Sequence, residues 1–275
     1  MILSFTETAF PMKSGYGSMR TLETVTVTET INHAFFVGDV HLDTRHSDRE
    51  VAFCRFLDHI REQRPDHVYL LGDLFEFWFG YSKVMFSTHL RTIMKIARLT
   101  ENGIPVTYLV GNHDFRPGPV FSDILGVRIE MDVIRIRLGS HQVYVAHGDE
   151  INFADWKYRM IRHLLRNPVT QTLFRFIVPP SAAWHIGRCT SDSSRKLNAE
   201  RERPIPEPVF RSFIAREAER GIDTIIHGHN HDPGIRRITH EDRTVTLIDS
   251  GDWLGVQGHY VEFVDDTFRC ETWPI

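Results

Sequence analysis

Cysteine is scarce: Cys54, Cys189 and Cys270 are the three in 275 residues, far apart and odd in number. That excludes a disulfide framework and a Cys-x-x-Cys zinc site, and it suits a reducing compartment. An excess of basic charge is also missing, since 32 Lys and Arg stand against 36 Asp and Glu for a formal net charge of -4. A duplex-binding protein is ordinarily basic over one extended face, so no nucleic-acid partner is expected. No apolar run reaches the length of a membrane span, and the first residues lack the continuous apolar core of a signal peptide, so the chain is expected in the cytoplasm. What these absences leave, with 41% hydrophobic residues, is one large α/β domain or one carrying an insertion.

What is present is a set of short polar motifs, each placed where an apolar run stops. Ala34-Phe35-Phe36-Val37 leads to Asp39-Val40-His41, Val68-Tyr69-Leu70-Leu71 to Gly72-Asp73, and the run from Val106 to Val110 to Gly111-Asn112-His113-Asp114. Ala146-His147-Gly148-Asp149 and, after Ile225-Ile226, Gly228-His229-Asn230-His231 complete the set. Apolar runs of this kind suit strands covered on both faces, and ligands in α/β folds gather at the carboxyl ends of such strands. In extended backbone, residues i and i+2 project to the same side, so Asp39 with His41, and His229 with His231, are each expected to aim at one point. Oxygen and imidazole donors suit divalent Mn, Fe or Zn, and a carboxylate shared by two cations lets both act on one phosphate. Any single one of the 16 histidines is most simply a packed or solvated residue; the joint pattern points to metal-assisted phosphoester chemistry.

The motif order D-x-H, G-D, G-N-H-D, H-G and G-H-x-H resembles that of the calcineurin-like metallophosphoesterase superfamily. The resemblance implies two divalent cations, Mn preferred with Fe or Zn open, one held by Asp39, His41, Asp73 and His231 and the other by Asp73, Asn112, His147 and His229. Asp73 is then the bridge, His113 the catalytic group beside the metals, oriented by Asp114, and Asp149 a support behind them. A narrower likeness lies in Gly72-Asp73-Leu74-Phe75-Glu76-Phe77-Trp78-Phe79-Gly80, which is similar to the G-D-x-F-E-x-W-x-G signature of bacterial UDP-2,3-diacylglucosamine hydrolases. By that likeness Asp155, Tyr158, Arg188, Ser194, Arg195 and Lys196 face substrate, and the match runs from about Ala34 to about Phe263. It implies a glycolipid-nucleotide substrate, hydrolysed to UMP and 2,3-diacylglucosamine 1-phosphate in lipid A biosynthesis. It also implies peripheral contact with the inner face of the inner membrane. One residue departs: that family most often carries Arg where this chain has His113, which keeps a soluble nucleotide, pyrophosphate or phosphoprotein open as substrate. A metal-free scaffold is a third class, against which the full donor set argues.

The remaining sequence predicts the frame. Residues 1–31 read as a polar tail or an added edge strand, and 32–275 as the metallophosphoesterase domain. Ala52, Phe53, Phe56, Leu57 and Ile60 make one helical stripe, and Leu90, Ile93, Met94 and Ala97 another, closed by Gly103. Val133–Leu138 and Gln142–Ala146 flank a hairpin-like break at Gly139-Ser140. An insertion over 152–203 mixes Trp156, Leu164, Leu165, Leu173, Phe174, Phe176 and Trp184 with Lys157, Arg159, Arg162, Arg166, Arg175, Arg188, Arg195 and Lys196. That mixture suits a lid over a ligand with fatty and phosphate parts, or else a helical pair with a solvated basic face. Beyond a helix ended by Gly221, the strand Ile222–Ile226 leads to the His229 loop, and the last four strands are expected to complete a second sheet. The fold class is therefore α/β, a four-layer α/β/β/α sandwich of two mixed sheets with a helical lid insertion. Glu76 and Trp78 read equally as core or as substrate contacts, and Asp249, Asp252 and Trp253 as rim residues.

Overall fold

The computed structural model describes residues 31–81, 84–114, 116–152, 156–183, 185 and 206–275. Strand β1 (His33–Val37) fixes the layering, because its alternate residues enter two different cores. Phe35 and Val37 point outward to helices α1 (Ser47–Gln63) and α2 (Leu90–Glu101), while Ala34 and Phe36 point inward to the second sheet. With β2 (His67–Leu70), β3 (Val106–Leu109) and β4 (Arg128–Glu130), β1 forms a parallel set in register.

The second sheet has the order β5-β6-β7-β9-β8, built from β5 (Ile134–Leu138), β6 (His141–Val145), β7 (Thr224–His227), β8 (Gly234–His240) and β9 (Arg243–Asp249). Here β6, β7 and β9 are parallel, and β5 and β8 pair antiparallel at the edges. Ile136, Leu138, Val143, Val145, Ile226 and Ile248 meet the inner face of the first sheet in one core. On the outer face, Tyr144, Ile225 and Leu247 pack on Phe213, Ile214 and Ala218 of α5 (Glu207–Glu219). Three cores between four layers make the α/β/β/α sandwich.

Several sequence expectations need correcting. Only part of the last four strands joins the second sheet: β10 (Gln257–Val264) and β11 (Thr267–Pro274) return to the first, β10 pairing antiparallel with β1 and β11 antiparallel with β10 at the edge. Period-two alternation says which face is buried but not which sheet supplies the partner. The buried stripe of α2 is Thr92, Ile93, Ile96 and Leu99, leaving Leu90 and Met94 largely exposed. Edge strand β4 had no expectation, having three residues and no fully buried one.

Of the insertion, α3 (Trp156–Arg166) and α4 (Pro168–Ile177) are described, α4 being capped by Asn167, whose side chain accepts the Val169 and Thr170 amides. Asp155, Trp184, Arg188, Ser194, Arg195 and Lys196 lie outside the described residues, as do residues 1–30, and of Tyr158 only its backbone place in α3 is described. Among the described residues no helix is long and apolar enough to cross a membrane.

Candidate metal centre

The parallel strands β1, β2, β3, β6 and β7 all end in a loop that carries a candidate donor, so the sandwich gathers them at one end. Backbone bonds knit the loops together: Asp39 N–H to Gly72 O (3.0 Å), His41 N–H to Asp73 O (2.9 Å), Gly228 N–H to His147 O (2.8 Å). Two glycines stand where carboxylates need room. A Cβ on Gly111 would lie 2.1 Å from Asp73 Oδ1, and one on Gly228 2.2 Å from Asp39 Oδ2.

The donor side chains converge, but not through extended backbone. Asp39, His41, Asp73, His229 and His231 all have positive φ, between 48° and 68°. Each such residue costs on the order of 1 kcal/mol or more, and such strain concentrates at functional sites. Of the two i, i+2 pairs expected to aim at one point, Asp39 and His41 do meet, though not through extended backbone; His229 and His231 part, His231 turning to Asp39 and His229 to His147. His41 Nε2 lies 3.8 Å from Asp39 Oδ1 and 3.9 Å from Asp73 Oδ2, and His231 Nε2 lies 3.3 Å from Asp39 Oδ1. On the other side, His147 Nε2 is 3.5 Å from Asp73 Oδ2 and 2.9 Å from Asn112 Oδ1, with the His229 ring centred 5.0 Å from that of His147. Asp73 stands between the two groups.

The donors fit cations. Buried Asp39 Oδ1 and both ring nitrogens of buried His41 have no hydrogen-bond partner, an arrangement expensive in itself and resolved by a bound ion. Burial and the neighbouring His113 hold His41 down to about 3, and burial with His147 holds His229 down to about 4, so both are neutral ligands at pH 7. Burial opposes charge on His147 and His231 too. Asp73 and Asp39 nevertheless raise His147 to about 9, and the Asp39 carboxylate, 3.3 Å from His231 Nε2, raises His231 to about 9. A proton on each stands where a cation would go. Asp39, Asp73 and His147, and Asp39, His41 and His231, each bring ligand atoms within 4.8 Å of one another, as do His41, Asp73 and His113.

The surroundings orient these rings. His147 Nδ1 faces Leu71 O at 2.7 Å, which turns Nε2 toward Asp73. His113 Nδ1 is 2.8 Å from the Glu76 carbonyl and its amide donates to Asp73 Oδ1 at 2.8 Å. Asp114, expected to orient His113, has a buried carboxylate that accepts the Leu74 and Phe75 amides and so braces the Asp73 loop. Burial, with Asp73 close by, raises Asp114 to about 7. Glu76 also lies with Oε2 3.6 Å from His41 Nδ1, and Asp252 Oδ2 is 3.3 Å from His231 Nδ1. The sequence left Glu76 between core and substrate contact and Asp252 at the rim; a place behind a donor ring was foreseen for neither, although the G-D-x-F-E signature held a signal for Glu76. Trp78 is core, wedged against Phe75, Phe86 and Phe121 with Nε1–H donating to Pro117 O. Asp149 is a brace: it binds Arg162 (2.7 Å) and Arg166 (3.4 Å) of α3, and Arg166 also donates to Val110 O (2.9 Å) and Gly111 O (3.3 Å) beside Asn112.

The profile of the calcineurin-like phosphoesterase family matches residues 33–233, most of the chain and every one of these loops. The chain belongs to that family. It is a metal-dependent hydrolase, and calcineurin-like phosphoesterases use a dinuclear metal centre, which accounts for donors on both sides of Asp73. The UDP-2,3-diacylglucosamine hydrolase of Pseudomonas putida is 31% identical over 217 residues, covering 79% of this chain and 89% of the relative. That of Vibrio cholerae is 31% identical over 225 residues, covering 80% and 90%. The enzyme of the same name from Azotobacter vinelandii is 32% identical over 243 residues, covering 87% and 98%.

Proposed function

We propose that this phosphoesterase hydrolyses the pyrophosphate bond of UDP-2,3-diacylglucosamine, releasing UMP and 2,3-diacylglucosamine 1-phosphate in lipid A biosynthesis. The observation that carries the reading is the path of the segment from Asp73 to Tyr81. It starts at the shared carboxylate, sets Glu76 behind His41 and His113, and ends with Phe77, Phe79 and Tyr81 in an apolar cluster with Phe174, Val178 and Ala183 of the insertion. Tyr81 donates to Val178 O at 2.8 Å. One stretch thus joins a phosphate site to an apolar one, as a glycolipid nucleotide requires, and it is the stretch that resembles the hydrolase signature.

In this reading one cation is held by Asp39, His41, Asp73 and His231 and the other by Asp73, Asn112, His147 and His229, with Mn preferred over Fe or Zn. When bound, the pair supplies an activated water and neutralises charge on the phosphate. His113, anchored through Nδ1, presents Nε2 to the same space; as an imidazolium it binds a phosphate oxygen or gives its proton to the leaving oxygen. Asp155, Tyr158, Arg188, Ser194, Arg195 and Lys196 are assigned to substrate by the family likeness. The outward faces of α3 and α4, where Trp156, Val169, Phe176 and Ile177 are more than half exposed, support peripheral contact with the inner face of the inner membrane.

His113 in place of the hydrolases' usual Arg favours a second reading, a soluble phosphodiester or pyrophosphate substrate. The test compares kcat/KM on micellar UDP-2,3-diacylglucosamine with that on bis(p-nitrophenyl) phosphate. A higher value for the lipid, with UMP as product, supports the first reading. No release of UMP beside good cleavage of the soluble diester rejects it.

A further inference from the structure

On the outer helical layer, α1 and α2 do not close against each other along their whole length. They leave a groove of about 300 Å³ floored by Val51, Cys54 and Met94. Its rim carries Arg55 from α1 and Arg91 and Arg98 from α2, all exposed, beside a Lys95–Asp58 ion pair. Among the described residues none of these three arginines pairs with a carboxylate. Positions 91, 94, 95 and 98 share one face of α2, and 51, 55 and 58 share the facing side of α1, so helical spacing lines up the charges over two turns. A chain with a net charge of -4 thus keeps a local cationic groove that its own fold does not use.

The groove adjoins an apolar border. Leu90 begins the same face of α2 and is 40% exposed, and the segment just before it carries Val84 and Met85, also exposed. Phe86 follows them and packs in the cluster that holds Phe174 and Val178, from which Phe176 and Ile177 of α4 project to solvent. Apolar side chains beside unpaired guanidinium groups are the composition of a surface that lies on a bilayer with anionic headgroups. Free phosphate would use the arginines but leave the apolar border unexplained.

We propose that the α1–α2 groove, through Arg55, Arg91 and Arg98, is an anionic-headgroup site that docks the chain on a negatively charged bilayer. The inference deepens the lipid-substrate reading and rests on it for its purpose, but not for its test. The full chain is co-sedimented with phosphatidylcholine vesicles and with vesicles that also contain phosphatidylglycerol. Each basic residue at such a surface is worth about fivefold in partitioning, so Arg55→Glu with Arg91→Glu and Arg98→Glu should lower binding to the anionic vesicles by on the order of a hundredfold. Wild-type binding should fall with added salt. Turnover of detergent-dispersed substrate should be unchanged, because none of the three lies at the metal centre. Arg237→Glu with Arg269→Glu, exposed on β8 and β11, should bind like wild type. Equal binding by the triple variant, an equal loss in this control, or arginine-dependent retention of RNA without vesicle binding would each overturn the proposal. Arginine-dependent docking by a chain that does not cleave the UDP-lipid would sustain the groove and remove the substrate reading instead.

Discussion

Replacing Gly111 by Ala tests the site through a single methyl group. Gly111 has no positive φ to lose, so the effect is steric: the new Cβ would stand 2.1 Å from Asp73 Oδ1 and 2.6 Å from Asp73 N. Ordinary contact needs about 1 Å more, whereas metal–ligand distances tolerate only about 0.2 Å. Turning the Asp73 carboxylate relieves the contact with Oδ1 and loses the His113 amide, but the contact with Asp73 N also forces a shift of backbone that the His41 amide holds at the Asp73 carbonyl. Overpacking costs about 1–3 kcal/mol and the lost hydrogen bond to a buried carboxylate about 1.5–3 kcal/mol. The metal-free protein should therefore lose about 3–5 kcal/mol in denaturant titration. Metal content should fall, and kcat should drop by roughly a hundredfold or more, the usual consequence of a displacement near 1 Å. Gly103→Ala is the control: it sits at φ +77 with nothing within 4 Å of its Cβ, so it should cost about 1–2 kcal/mol and leave turnover alone. Full metal content and wild-type turnover in Gly111→Ala would refute the crowded Asp73 site described here.

His113→Ala should lower kcat by about a hundredfold or more with both metals retained, as a lost acid or oxyanion donor does; loss of one metal by elemental analysis would make His113 a ligand, as its place with His41 and Asp73 allows. His147 and His231 hold a proton more tightly in the folded metal-free protein than in the unfolded chain. The stability this lends is complete below about 6.5 and is lost as pH rises through about 9. The melting temperature of metal-free protein should then fall from pH 7 to 9 while that of the metal-loaded protein does not, and calorimetry in two buffers should show proton release on metal binding. Arg166→Ala should destabilise by about 2–4 kcal/mol, because it strips the Val110 and Gly111 carbonyls and weakens the Asp149 pair, and Lys should not restore what a planar fork provides; an unchanged unfolding midpoint would count against the brace.

Much of this was legible in the sequence because it is local. The donors follow their strands by two to four residues, and the stripe Ala52, Phe53, Phe56, Leu57, Ile60 is buried as helical spacing requires. The illegible parts are those set by distant partners. Whether β10 joins one sheet or the other depends on its pairing with β1, far back in the chain. Glu76 orients His113 through a backbone carbonyl, which every residue has and no motif records. The left-handed backbone at Asp39 and His41 is invisible to alternation, since Asp and His carry no glycine-like mark. Arg162 and Arg166 belong to the basic set of the insertion, for which the sequence leaves a phosphate-binding lid and a solvated face open; the structure spends them on Asp149 and on the carbonyls of the β3 loop. A residue's charge shows in the sequence; its partner does not.

The central claim is a pair of cations sharing Asp73, and electron paramagnetic resonance of Mn-titrated metal-free protein tests it most directly. The account predicts an exchange-coupled signal that grows to two Mn per chain in step with activity, and its loss, with the activity, in Asp73→Ala. An isolated single-Mn spectrum with full activity at one equivalent would contradict it.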